Sequence, residues 1–197
     1  MSLLDRMLGR LTVEEAASYL REGALRFAAS DAQTLIQPDQ GHDAAPDPQT
    51  HWRVFLDCLC MYLHVIDRLA HQLLAPARRR ELMDAMTLPI PMVLAKTFWA
   101  SATGAQGVAI ADTLLGTINE FQTEFSRYPL TSAEVAGLDG TLFWEFGKRV
   151  AADARNATGS VQIALGASVV PMGIRTLDVE RVLKKVKSAL TVNVERR

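Results

Sequence analysis

The stretch HWRVFLDCLCMYLHVIDRLAHQLL, residues 51–74, decides the fold class. Trp52, Phe55, Leu56, Leu59, Leu63, Ile66, Ala70 and Leu73 recur at steps of three and four residues, the spacing that returns a side chain to one face of an α-helix. No glycine or proline interrupts the run. Met61, Tyr62, Val65 and Leu69 widen the apolar arc, and a helix apolar over most of its circumference belongs near the centre of a bundle.

The same period extends outward in both directions. Upstream, Thr12-Val-Glu-Glu15 has the pattern of a capping box, in which the threonine hydroxyl and the glutamate satisfy each other's backbone N–H. The helix that follows carries Val13, Ala16, Ala17, Leu20, Ala24, Phe27 and Ala28 on one stripe and should fade near Ile36. Between it and the central helix, QPDQGHDAAPDPQ (residues 37–49) is rich in proline and aspartate and reads as a mobile loop at about 37–50.

Downstream, Pro76 suits the first position of a short helix to Met86, with Arg78, Arg79, Arg80, Glu81 and Asp84 on its wet side. Leu88-Pro-Ile-Pro91 should break that helix. Further helices are expected over about 93–102 and 108–128, the latter stopped by Pro129. Asp139 is placed to cap a helix over 140–155, in which Leu142, Phe143, Phe146 and Val150 point inward and Glu145 pairs with Arg149. Asp178 is placed to cap a last helix to about Leu190. The chain is therefore expected to be all-α, a multi-helix bundle of six to eight helices in a single domain over residues 1–197. The competing reading concerns the C-terminal part alone. Val161, Ile163, Leu165, Ala167 and Val169 alternate as in a strand, and Thr191–Val194 has β-leaning residues, so a short β pairing there is the alternative to helix.

Composition narrows the function classes. The 197 residues are 49% hydrophobic and 22% charged, an ordinary globular balance. Lys and Arg number 21 against 22 Asp and Glu, so no surplus of positive charge faces a nucleic acid. Residues 1–11 lack the continuous apolar core of a secretory signal. Of the two long uncharged segments, Thr97–Ala111 is too short for a bilayer and Asn156–Ile174 too polar and glycine-rich. Cys58 and Cys60 are two residues apart; on a helix they point in different directions and should be buried free thiols. These features suit a cytoplasmic protein without a transmembrane segment.

Three groups of residues are candidates for function. On the central helix Asp57, Cys60, His64, Asp67, Arg68 and His71 share about a third of the circumference. His64, Asp67 and His71 are ligand types for zinc or non-haem iron, and Glu120 and Glu124, one helical turn apart, could complete such a site. The stronger reading is a solvated face, followed by a structural network such as Arg68 with a glutamate; the Glu-x-x-His pairs of di-iron bundles are missing, and no metal or cofactor is expected. On that reading, replacing His64 or His71 should change stability little.

A second group, Ala152, Gly159, Gly166 and Gly173, repeats every seven residues. Close packing suits Gly166, and turns suit Gly159 and Gly173. The third group is the C-terminal helix, with Val179, Val182, Leu183, Val186 and Leu190 on an apolar edge and Arg181, Lys184, Lys185 and Lys187 on a basic one. Docking on the core is the expected role of that edge, and contact with a membrane surface the weaker alternative.

No nucleophile elbow, phosphate loop, dinucleotide fingerprint or His-Glu-x-x-His motif is present. The sequence favours a non-enzymatic helical binding or interaction protein, with an unidentified protein or small-molecule partner and a capacity for homo-oligomers. The alternative is a metal- or small-molecule-dependent enzyme using the His/Asp/Glu residues named above.

Overall fold

In a computed structural model, which describes residues 11–36, 48–98, 105–130, 139–154 and 160–194, the described chain is helices and short turns with no strand. Eight helices follow one another: α1 (Val13–Leu35), α2 (Pro48–Leu73), α3 (Pro76–Thr87), α4 (Ile90–Phe98), α5 (Ala105–Phe125), α6 (Leu142–Asp153), α7 (Ser160–Thr176) and α8 (Val179–Val194). The all-α multi-helix architecture is thus the observed one. Among the described residues, no helix is long and apolar enough to cross a membrane.

Local chemistry accounts for most helix starts. The Thr12 N–H donates to Glu15 Oε2 at 2.8 Å and the Glu15 N–H to Thr12 Oγ1 at 3.1 Å, a reciprocal capping box that opens α1. Pro76 occupies the first turn of α3, where its missing N–H costs nothing. The break expected at residues 88–91 shrinks to a turn at Leu88 and Pro89, because Pro91 falls in the first turn of α4 and is tolerated there for the same reason. Most of the expected loop, residues 37–47, lies outside the described residues, whereas Pro48 to Thr50 form the first turn of α2.

Several local expectations are corrected. Thr141, not Asp139, precedes α6 as its N-cap. The Asp139 carboxylate instead accepts from Lys148, one helix face away. The alternating segment after Val161 is helical through Thr176, with Pro171 inside the helix. Tertiary packing explains that outcome. α7 lies on α6 so closely that a Cβ at Gly166 would stand 3.0 Å from the Cα of Gly147, and one at Gly147 3.0 Å from the Ala167 nitrogen. Gly173 is not in a turn either; a Cβ there would meet the Tyr62 ring at 2.7 Å from Cζ. Ala152 is exposed and takes no part in this packing, and Gly159 lies outside the described residues. At the α7–α8 junction Asp178 adopts a left-handed backbone, φ +50°. It contributes its carbonyl to the Val182 N–H at 3.1 Å.

The chain divides into two compact units. The first holds Met1–Gly23, Ile66–Glu120 and Asp178–Arg197. Its buried residues include Leu20, Leu82, Met86, Ile90 and Leu183, and Arg21 Nη1 donates to the Ala85 carbonyl at 3.0 Å. Val179, Val182, Leu183 and Val186 are all buried, so this part of the apolar edge of α8 is packed into protein. The second unit holds Ala24–Val65 and Phe121–Leu177. It is the more aromatic, with Phe121 stacked on Phe125 at 4.3 Å and Phe27 tilted against Tyr62 at 6.2 Å.

Candidate functional site: a buried polar track on α2

Within the second unit, α2 carries a series of polar side chains into an apolar interior. Asp57, Cys58, Cys60, Tyr62 and His64 are all buried. Each meets a group supplied by another helix or lies close to one that does. Tyr62 donates its hydroxyl to Asp31 Oδ2 of α1 at 2.6 Å. His64 Nδ1 is 2.6 Å from Gln122 Oε1 of α5. Arg149 of α6 reaches Asp57 Oδ1 through Nε at 2.9 Å and Glu124 Oε2 through Nη1 at 2.7 Å. Its guanidinium also lies 5.3 Å from the Phe121 ring centre, a cation–π distance.

The electrostatics follow from burial. Loss of water, and then a hydrogen bond with Asp153, push the Asp57 carboxyl up to about 8 against the pull of Arg149. The geometry agrees: Asp57 Oδ2 is buried and no donor among the described residues reaches it. Burial likewise raises the Cys60 thiol to about 12 and the Cys58 thiol well above its ordinary value, which holds both in the unreactive protonated form. Burial also raises Asp31, against the hydrogen bond from Tyr62. The track can hold protons and neutral hydrogen bonds; its thiols are not activated nucleophiles.

The stripe expected to be solvated is therefore split. Asp57, Cys60 and His64 are buried, while Asp67 and Arg68 are half-buried and His71 is exposed. Asp67 receives both arms of Arg79, Nε at 2.7 Å and Nη2 at 2.6 Å. Glu120 and Glu124 are both exposed, and Glu124 is engaged by Arg149. Among the described residues, no three His, Cys, Asp or Glu side chains gather closely enough to hold a metal ion.

Sequence reasoning also misassigned Arg149. Its partners are Asp57 and Glu124, and Glu145 bonds instead to Lys148 at 3.0 Å and to the Gly140 N–H at 3.0 Å. Asp31, which the sequence reading missed, and Asp57, which it placed on a solvated face, both left signals. Asp57 interrupts the apolar run VFLDCLCMYL, and Asp31 continues the apolar stripe of Ala24, Phe27 and Ala28. An acid inside an apolar pattern announces a buried partner, although not which one. Comparison with protein-family models, with characterised proteins and with solved structures finds no match.

Proposed function

We propose that this chain is a non-enzymatic helical interaction protein of the cytoplasm, and that its polar track specifies the packing of α1, α2, α5 and α6. One observation carries the reading. Large apolar side chains stay exposed at two places: Leu88, Met92 and Val93, at the turn before α4 and on its first turn, in the first unit, and Val161, Leu165 and Met172 along α7 in the second. Clustered exposed apolar groups are costly to leave wet and mark contact sites. The state of the buried groups supports the same reading, since burial keeps the thiols protonated, and Asp57 and Asp31 accept hydrogen bonds from Arg149 and Tyr62.

The test uses a photo-crosslinking residue at Met92 or at Met172 in the native cells. Discrete protein adducts at either position are expected. Absence of adducts at both, together with stoichiometric zinc, iron or manganese in the purified protein, would favour instead an enzyme built on His64, Asp67, His71, Glu120 and Glu124.

A further inference from the structure

The last turn of α6 lies against Asp57, the one acid that is buried among the described residues. Upstream of that turn α6 is locked to its neighbour. A Cβ at Gly147 would stand 3.0 Å from the Ala167 nitrogen and closer still to the Ile163 carbonyl, so this part of α6 cannot lift without carrying α7 with it. Arg149–Asp153 lies beyond the lock, at the end of the helix. Buried Val150 and Ala151 and the Arg149 guanidinium hold it down, while Ala152 is exposed and Asp153 half-buried.

The setting of Asp57 is poor for a charge. Arg149 Nε serves Oδ1 at 2.9 Å, and its Nη1 turns away to Glu124 at 2.7 Å. Oδ2 meets no donor among the described residues, and the Asp153 carboxylate adds repulsion from the same turn of α6. Three carboxylates thus draw on one guanidinium. The other elements bring no compensating charge. The Cys58 and Cys60 thiols on α2 are protonated, Asp31 of α1 acts on Cys58 with negative sign, and His64 bonds to Gln122 of α5. No charged side chain occurs on α7 before Arg175, which is exposed.

We infer that the last turn of α6, Arg149–Asp153, is a proton-gated latch on α2, closed while Asp57 holds its proton and opened to water when that proton leaves. Opening would hydrate Oδ2 and part Asp57 from Asp153, next to the Cys60 thiol, which feels both Asp57 and Arg149. Separation from Arg149 opposes the movement, but burial outweighs that contact and holds the carboxyl up at about 8 in the closed form. The open form, with Asp57 in water, binds fewer protons between about 4 and about 8. Its population therefore grows by up to about tenfold per pH unit across that interval and levels off above about 8. The latch does not rest on the interaction-protein reading.

The experiment is hydrogen exchange of the full chain from pH 5 to pH 9, each rate divided by the unstructured rate at the same pH. From pH 5 to pH 7 the normalised exchange of Arg149–Asp153 should rise at least about tenfold. It should also be insensitive to low urea, because fraying of one turn exposes little surface, while exchange of Leu142–Gly147 stays slower and urea-sensitive. Asp57→Asn should abolish the rise. Asp153→Asn, at a half-buried position, removes the repulsion and should end the rise at lower pH, which tests the latch even where Asp57→Asn does not fold. Normalised exchange that is flat with pH, or that rises toward low pH, overturns the inference. So does an equal rise in Asp57→Asn, an Asp153→Asn profile identical to wild type, or urea-sensitive exchange shared by the whole of α6, which would mean global unfolding.

Discussion

Two aspartate–arginine pairs sit ten residues apart on the same helix and are built differently. Asp67 receives a two-armed fork from Arg79, one donor for each oxygen. Asp57 is more deeply buried, 7% exposed at its side chain against 16% for Asp67, and takes one arm of Arg149 while the other arm goes to Glu124. The fork is complete in itself and leans outward. The one-armed pair leaves Asp57 Oδ2 buried without a donor among the described residues. The lesson is that the same residue types within one third of a helix's circumference become a peripheral clamp in one place and a buried junction in the other. What differs is how many donors the neighbouring helices supply.

The largest expected effect comes from breaking both pairs in the same way. Arg149→Met removes the donor that buried Asp57 Oδ1 accepts from and should cost about 1–3 kcal/mol, the range for a buried polar group left unmet. Arg79→Met should cost about 1 kcal/mol or less, as pairs near water do. Urea denaturation measures both; equal losses would erase the distinction.

A smaller contrast tests the helix itself. His64→Ala removes a buried hydrogen bond to Gln122 and should cost about 1–3 kcal/mol. His71→Ala, on the exposed end, should stay within about 0.5 kcal/mol. Matching small effects would restore the solvated-face view of the whole stripe.

A further contrast is a slope rather than a loss. Below about 4, folded and unfolded chains both hold the Asp57 proton; between about 4 and about 8 only the folded chain does. Stability from this group is therefore full at low pH, declines across that interval and is gone above about 8. Asp57→Asn, which is neutral throughout, should lack this decline. Unfolding midpoints of the two proteins at pH 5 and pH 8 check it. The wild type should fall relative to Asp57→Asn, and parallel behaviour would mean that Asp57 is ionised in the folded protein.

Glycine packing shows where local reading stops. Gly166 could be recognised as a close-packing position because it lies mid-segment, away from turn residues. Its partner could not, since Gly147 lies on the apolar face of its own helix beside Phe143, Phe146 and Val150 and nothing local says what packs there, and the two meet only because α6 and α7 pack face to face. A Cβ at Gly147 would also meet the Ile163 carbonyl, which is backbone and cannot swing away. Gly147→Ala should accordingly cost about 1–3 kcal/mol, an overpacking penalty that a sequence pattern would not suggest.

The sequence by itself determined the helices, the reciprocal cap of Thr12 and Glu15, the proline start of α3 and the apolar edges that became cores. These depend on residues within a few positions of one another, and their period and hydrogen-bond chemistry are complete in the local chain. Only the tertiary structure decided which polar residues of α2 lose their water, that Arg149 turns to Asp57 instead of Glu145, and that α7 stays helical through Pro171. Those outcomes depend on groups brought in by distant helices. A helical period specifies the angle at which a side chain leaves its own axis, and the neighbouring helices decide what it meets there.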